Sequence, residues 1–353
     1  MNKQVIDLTK QRIYYFDWLR VLATISVVVL HAAAPLLYEY GKIPANDWWT
    51  GHIFDSVTRW CVPIFFMMSG ALMLNPGKQE SAGVFFKKRS AKVLIPFIAW
   101  SCFYILVKMK MDDMEKNPEA AFKAILSDNV YYHLWFLYVI IGLYAITPIL
   151  KVYIANASRR NIELFLVLWF VCTSVFSLIA KFYQVKMGFE AFPASGYIGY
   201  FVLGYYLFKY SFNRLSKWGI YLIGVAGLCI TVFATPEMTE KNNGTFDGFF
   251  YHYLNVSVVF MSAAFFLFFK ELQERINPAG SYRVLKPFNQ ASMGIYLVHP
   301  FVFLVLKKYF ELDAFSFTPI VGIPFMALLT IAISFVITRV LQMIPFVRNV
   351  VPN

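Results

Sequence analysis

Tyr14-Tyr15-Phe16-Asp17-Trp18-Leu19-Arg20-Val21-Leu22-Ala23-Thr24-Ile25-Ser26-Val27-Val28-Val29-Leu30-His31 begins an apolar run that continues through Ala32-Ala33-Ala34-Pro35 to Leu37. Its length decides the fold. A hydrocarbon core about 30 Å thick needs roughly 20 apolar residues in a helix, and Phe16 to Leu37 supplies them. Three ionisable side chains, Asp17, Arg20 and His31, stand inside it. Such groups cost several kcal/mol at bilayer depth, so their presence there defaults to a functional reading. Eleven residues separate Arg20 from His31, about three helical turns and about 16 Å, which places both on one face. Asp17, three residues before Arg20, shares that face. A cation near one membrane surface with an imidazole deeper on the same line describes a site entered lengthwise.

The rest of the chain follows the same ruler. Of 353 residues 59% are hydrophobic and 15% charged, against about 25% charged in soluble domains. Ten spans emerge: Phe16 to Leu37, Ile53 to Leu74, Val93 to Val107, Leu134 to Ile154, Leu164 to Phe182, Phe192 to Phe208, Gly219 to Ala234, Phe249 to Phe269, Ala291 to Leu306 and Pro319 to Val340. The expected fold class is an all-α polytopic membrane protein of about ten transmembrane helices. Alternating ten-residue segments, the mark of a β-barrel, are missing. Basic loops such as Lys87-Lys88-Arg89 with Lys92, Arg159-Arg160, and Arg283 with Lys286 fall on one side, which predicts both termini cytoplasmic. The net charge of +12 reads as this inner bias, and no nucleic-acid module claims it. Only a short tail, ending in Met343 to Asn353, follows the last span, so residues 1–353 read as a single transmembrane domain without a soluble extension.

Cys61, Cys102, Cys172 and Cys229 lie in four different spans without metal-ligand spacing; they read as small packing residues, and no metal is expected. Gly196 and Gly204 fit close helix packing better than phosphate cradling. The histidines say more. His31, His52, His133, His252 and His299 all map to the outer half or outer end of a span, where interfaces tolerate polar rings. His31 alone lies well within its span, and imidazole is the side chain that exchanges a proton near neutral pH. Arg59 is the second intramembrane cation, with Asp55 four residues earlier. Two readings stay open for it: a self-contained ion pair that lets the helix insert, or a cation facing the same cavity as His31. Ser69 falls near the inner end of its span, too far from His31 for a Ser-His nucleophile pair.

These residues carry a resemblance. The Arg20-x10-His31 spacing, Val62-Pro63-Ile64-Phe65-Phe66-Met67-Met68-Ser69-Gly70, Phe85-Phe86-Lys87-Lys88-Arg89-Ser90-Ala91-Lys92-Val93-Leu94-Ile95-Pro96, Tyr132-His133-Leu134-Trp135-Phe136-Leu137-Tyr138 and Ala291-Ser292-Met293-Gly294-Ile295-Tyr296-Leu297-Val298-His299-Pro300 occur in the order seen in acyltransferase family 3. The chain thus resembles the integral-membrane sugar O-acyltransferases of bacterial envelopes. Five blocks spread over most of the chain make the likeness specific.

The resemblance implies transfer of an acyl group, commonly acetyl, from cytoplasmic acyl-coenzyme A (acetyl-CoA) to a hydroxyl of a glycan or glycolipid, in the bacterial inner membrane. It implies His31 as general base, and Arg20, Lys87, Lys88, Arg89 and Lys92 as holders of donor phosphates. Family members often carry arginine where this chain has Lys92, and lysine lacks the bidentate geometry. Asp17, Arg59, His133, Trp135, Tyr296 and His299 stand as supporting or acceptor-side residues, with two roles open for Arg59, Trp135, Tyr296 or His299: lining the acceptor side or stabilising the developing oxyanion. Direct transfer and an acyl-histidine intermediate are both open, and so is a homo-oligomeric assembly. Without a hydrolase-like domain of the SGNH type after the last helix, any second transfer needs a partner protein. A proton-coupled transporter or a flippase for a lipid-linked sugar is the competing class, because buried charges also mark permeation paths.

Overall fold

The computed structural model describes residues 13–77, 80–185, 196–275 and 279–352. The chain enters α1 (Tyr14–Leu37), whose apolar run makes a helix that needs no other chain segment to satisfy its backbone. A short turn leads to α2 (Ala45–Thr58) and α3 (Cys61–Met73). The second span was expected as one helix, Ile53 to Leu74, but it is interrupted at Arg59–Trp60. Pro63 explains the break: it offers no N–H to the Arg59 carbonyl one turn back, and its ring crowds that carbonyl. Next come α4 (Ala82–Arg89), a π-helical turn at Ser90–Leu94, and α5 (Ile95–Lys110). Pro96, two residues past the end of that turn, again removes a backbone donor.

A short helix, α6 (Pro118–Leu126), leads to α7 (Trp135–Asn156). Then α8 (Arg159–Phe170) joins α9 (Phe176–Tyr183) through a second π turn at Val171–Val175. The remaining helices are α10 (Ile198–Lys209), α11 (Arg214–Lys241), α12 (Val256–Arg275), α13 (Ala279–Phe310) and α14 (Pro319–Met343). Among the described residues there is no strand. Nine helical stretches among the described residues are long and apolar enough to cross a membrane, which makes this an all-α polytopic membrane fold.

The expected sixth span, Phe192 to Phe208, corresponds to α10, whose 12 residues reach about 18 Å, short of a bilayer core; residues 192–195 lie outside those described. This helix has no need to span alone, because it is clamped inside the bundle. A Cβ on Gly70 of α3 would lie 1.8 Å from the Phe201 carbonyl oxygen of α10, and one on Gly204 would lie 2.0 Å from that of Met67. Only glycines let the two backbones touch there. Gly196 works differently from expectation. Its φ of +89° and the open space around it make it a turn residue rather than a packing one. The cysteines also divide: Cys61 is buried, but Cys102 and Cys229 are exposed on outer helix faces.

α1 is the hub. It packs against α2, α3, α12, α13 and α14. By contrast α8–α9 and α11 bury only 22% of their apolar windows, which leaves their outer faces for lipid. The two ends of the bundle are marked by polar contacts. At the end where α1 starts, Gln273 accepts from the Tyr15 amide at 2.8 Å, and Lys270 donates to the Leu207 and Tyr210 carbonyls. At the far end Lys181 pairs with Asp247 at 2.6 Å.

Candidate active site

Prolines one helical turn downstream shape the centre of the bundle. Pro35 leaves the His31 carbonyl without its usual helix donor, and Pro300 does the same for Tyr296. Each therefore loosens a helix beside a histidine. The rings of His31 and His299 stack with centroids 5.3 Å apart and planes at 27°. His133, in the loop before α7, meets His299 edge-on at 5.7 Å, and Tyr132 sets its ring against His31 at 4.9 Å. Residues far apart in sequence thus form one three-histidine cluster.

The loop that presents His133 is fixed from several sides. The Tyr296 hydroxyl donates to the His133 carbonyl. Tyr104, which donates to the Leu297 carbonyl at 2.7 Å, stacks on Tyr131 at 4.2 Å. Burial, with the Asp113 charge adding to it, pushes the Tyr131 phenol up and keeps it protonated. His299 is fully buried, and its Nδ1 lies 3.1 Å from the Ile295 carbonyl. A carbonyl only accepts, so Nδ1 carries the proton and Nε2 the lone pair of the neutral ring; among the described residues no group bonds that Nε2.

The Asp55–Arg59 pair forms but is not self-contained. Arg59 forms an ion pair with the fully buried Asp55, and it also lines the cavity next to His31. Its backbone forms the C-terminal cap of α2, a position where a cation is favoured by the negative end of the helix. Its guanidinium lies 4.1 Å over the Tyr251 ring and 5.8 Å from that of Tyr253, a cation–π arrangement that holds it in place.

Two cavities flank His31. One, of about 590 Å³, lies toward the end where α1 finishes and is lined by His31, Arg59, Tyr132 and Phe303, with Lys307 and Asp313 at its rim. The other, of about 160 Å³, runs back along α1 and is lined by Arg20, Val27, His31, Phe65, Met293 and Tyr296. Arg20 and His31 thus border one narrow space, as the eleven-residue spacing predicts. Among the described residues only His31, Trp135 and Tyr253 border both cavities.

The other residues singled out from sequence fall as follows. His133 lines the narrow cavity, Trp135 both, and His299 neither. Asp17 is buried on α1 and borders neither space. Lys87, Lys88 and Lys92 are exposed, and Lys88 pairs with Glu80 at 2.5 Å. Arg89 is half-buried against the Phe85 ring at 5.6 Å. Tyr144 lies within electrostatic reach of Ser69, Arg89 and Arg20, and of these four residues Arg20 lines the narrow cavity. His52 is enclosed in hydrogen bonds away from His31, and His252 is exposed.

Tyr253 and Tyr251 were not anticipated, and Tyr132 was seen only as part of a family block without a role of its own. Each is one tyrosine among 22, and no spacing rule links a loop tyrosine to a histidine more than a hundred residues away.

Compared with protein-family models, residues 13–339 match that of the acyltransferase domain. No curated protein and no solved structure matches the chain.

Proposed function

The chain belongs to this acyltransferase family, and on that premise we propose that it moves an acyl group, acetyl in our reading, from acyl-coenzyme A to a hydroxyl of an envelope glycan or glycolipid. The observation that carries the proposal is the meeting of two unequal cavities at His31. The narrow one suits a thin pantetheine arm entering past Arg20. The wide one, edged by aromatic rings, suits a sugar.

In this reading the basic end of the bundle is cytoplasmic, as its loop charges predict. Arg20 and Arg89 hold donor phosphates, while exposed Lys87, Lys88 and Lys92 attract them. His31 removes the acceptor proton as the oxygen attacks the thioester carbon. Stacking against His299 keeps the imidazole from rotating away from the junction. Because each substrate reaches His31 through its own cavity, transfer proceeds from one membrane face to the other.

Sealed vesicles of known orientation test this. Labelled acetyl-coenzyme A on the basic face should acylate the producing cell's envelope glycan fraction held on the other face, with release of free thiol. Movement of glycan across the vesicle wall without acylation or thiol release would replace the proposal with the transporter class.

A further inference from the structure

We infer that the Tyr253 hydroxyl, together with the Trp135 indole N–H, binds the oxyanion that forms on the thioester carbonyl during transfer. The inference rests on the acyl-transfer reading above and assigns a catalytic residue that sequence did not suggest.

The argument starts from the junction. Donor and acceptor arrive through different cavities, so the reacting atoms meet where the two spaces adjoin. Three described residues border both: His31, Trp135 and Tyr253. Acyl transfer asks two things of such a place, a group to take a proton and donors for the oxygen that gains charge. Imidazole supplies the first. The indole N–H and the phenol O–H are the only other side-chain hydrogen-bonding groups these three residues bring, and both can donate.

Tyr253 is held as a preorganised donor should be. Its ring stacks on that of Trp135 at 5.5 Å with planes at 23°. Its backbone carbonyl accepts from the Tyr200 hydroxyl. The Arg59 guanidinium lies 5.8 Å from its ring centroid, which places a positive charge beside the developing negative one. Arg59 is itself tied to Asp55 and Tyr251, so the charge stays fixed as the reaction proceeds. Fixed donors and charges need no reorganisation at the moment of reaction, and this is where such groups gain most.

The step balances. The acceptor oxygen bonds to the thioester carbon and passes its proton to His31. The carbonyl π pair moves onto oxygen, held by Tyr253 and Trp135. The pair then returns, the carbon–sulfur bond breaks, and the departing thiolate takes the proton back from His31. The products are the ester and free coenzyme A.

Tyr253→Phe keeps the ring stack and removes only the O–H. With acetyl-coenzyme A and the envelope glycan fraction, kcat should fall about 10²–10³-fold, the span for one oxyanion donor. Acetyl-coenzyme A affinity should stay near wild type. Slow acetyl-coenzyme A hydrolysis without glycan should fall in parallel, since an oxyanion donor serves any attacking nucleophile. Fluorotyrosine at 253, a stronger donor of nearly the same shape, should restore turnover to wild type or above. Equal kcat across Phe, Tyr and fluorotyrosine overturns the assignment, as does a rise in acceptor KM at unchanged kcat, which would make Tyr253 a sugar platform. Wild-type protein that transfers nothing at all would instead remove the acyl-transfer reading beneath it.

Discussion

His52 and His133 are both buried histidines of one bundle, 0% and 2% exposed, yet their surroundings differ in kind. His52 is sandwiched between Trp48 at 5.0 Å and Tyr251 at 5.8 Å. Its Nε2 lies 2.8 Å from the Val232 carbonyl, which Pro236 leaves without a helix donor. Because that carbonyl can only accept, Nε2 holds the proton, and Nδ1 accepts from the Tyr251 hydroxyl at 2.5 Å. Every polar atom of the ring is answered. Among the described residues none closes either ring nitrogen of His133 with a well-formed hydrogen bond, and the Leu297 backbone is a polar group beside it. His299 next to it has one nitrogen closed and one open. An unanswered buried polar atom costs about 1–3 kcal/mol. One histidine is therefore part of the frame, and the cluster of His31, His133 and His299 retains a cost that the frame does not need.

Tyr251 joins the two regions, since its hydroxyl serves His52 while its ring carries the Arg59 cation. Perturbations on either side can thus break or sharpen the contrast. The largest effect is expected at His31. His31→Ala should keep the fold, because α1 stays anchored by its buried apolar face, while transfer falls about 10²–10⁴-fold with the proposed acid–base group gone. Turnover of labelled acetyl-coenzyme A by the purified variant measures it; wild-type turnover in a well-folded protein would move the chemistry away from the cluster.

Next comes Asp55→Ala, which strands the Arg59 charge and should lower stability by about 3–5 kcal/mol, the usual outcome of removing one partner from a buried pair. Thermal unfolding in detergent reads this directly. An unshifted transition would mean that Tyr251 and Tyr253 suffice to hold the cation.

The smallest effect belongs to the frame. His52→Phe preserves the aromatic stack but leaves the Val232 carbonyl unanswered, at about 1–3 kcal/mol. Melting temperature should drop, and turnover per folded molecule should not. Were turnover lost at full stability, the division between structural and chemical histidines would fail.

Much of this was legible from the chain. Helical period alone put Arg20 and His31 along one wall, and they do border one cavity. The unsuspected break at Arg59–Trp60 was also readable in principle, because Pro63 announces it one turn downstream. The length of α10 was less readable. An apolar, aromatic stretch looks the same whether it crosses a bilayer or lies clamped between glycines against α3, and only the neighbour distinguishes the two. His299 and His133 were visible as residues and invisible as neighbours of His31.

Sequence by itself determined the membrane class, the intramembrane charges and the line from Arg20 to His31, because chain length per helix and residues per turn are local quantities. The tertiary structure alone decided which histidines gather, that Arg59 is at once paired and facing the cavity, and that Tyr253 stands at the junction. Those facts depend on how α13, the loop before α7 and the loop before α12 pack around α1. Packing is settled by the fit of whole surfaces, and no local period encodes it.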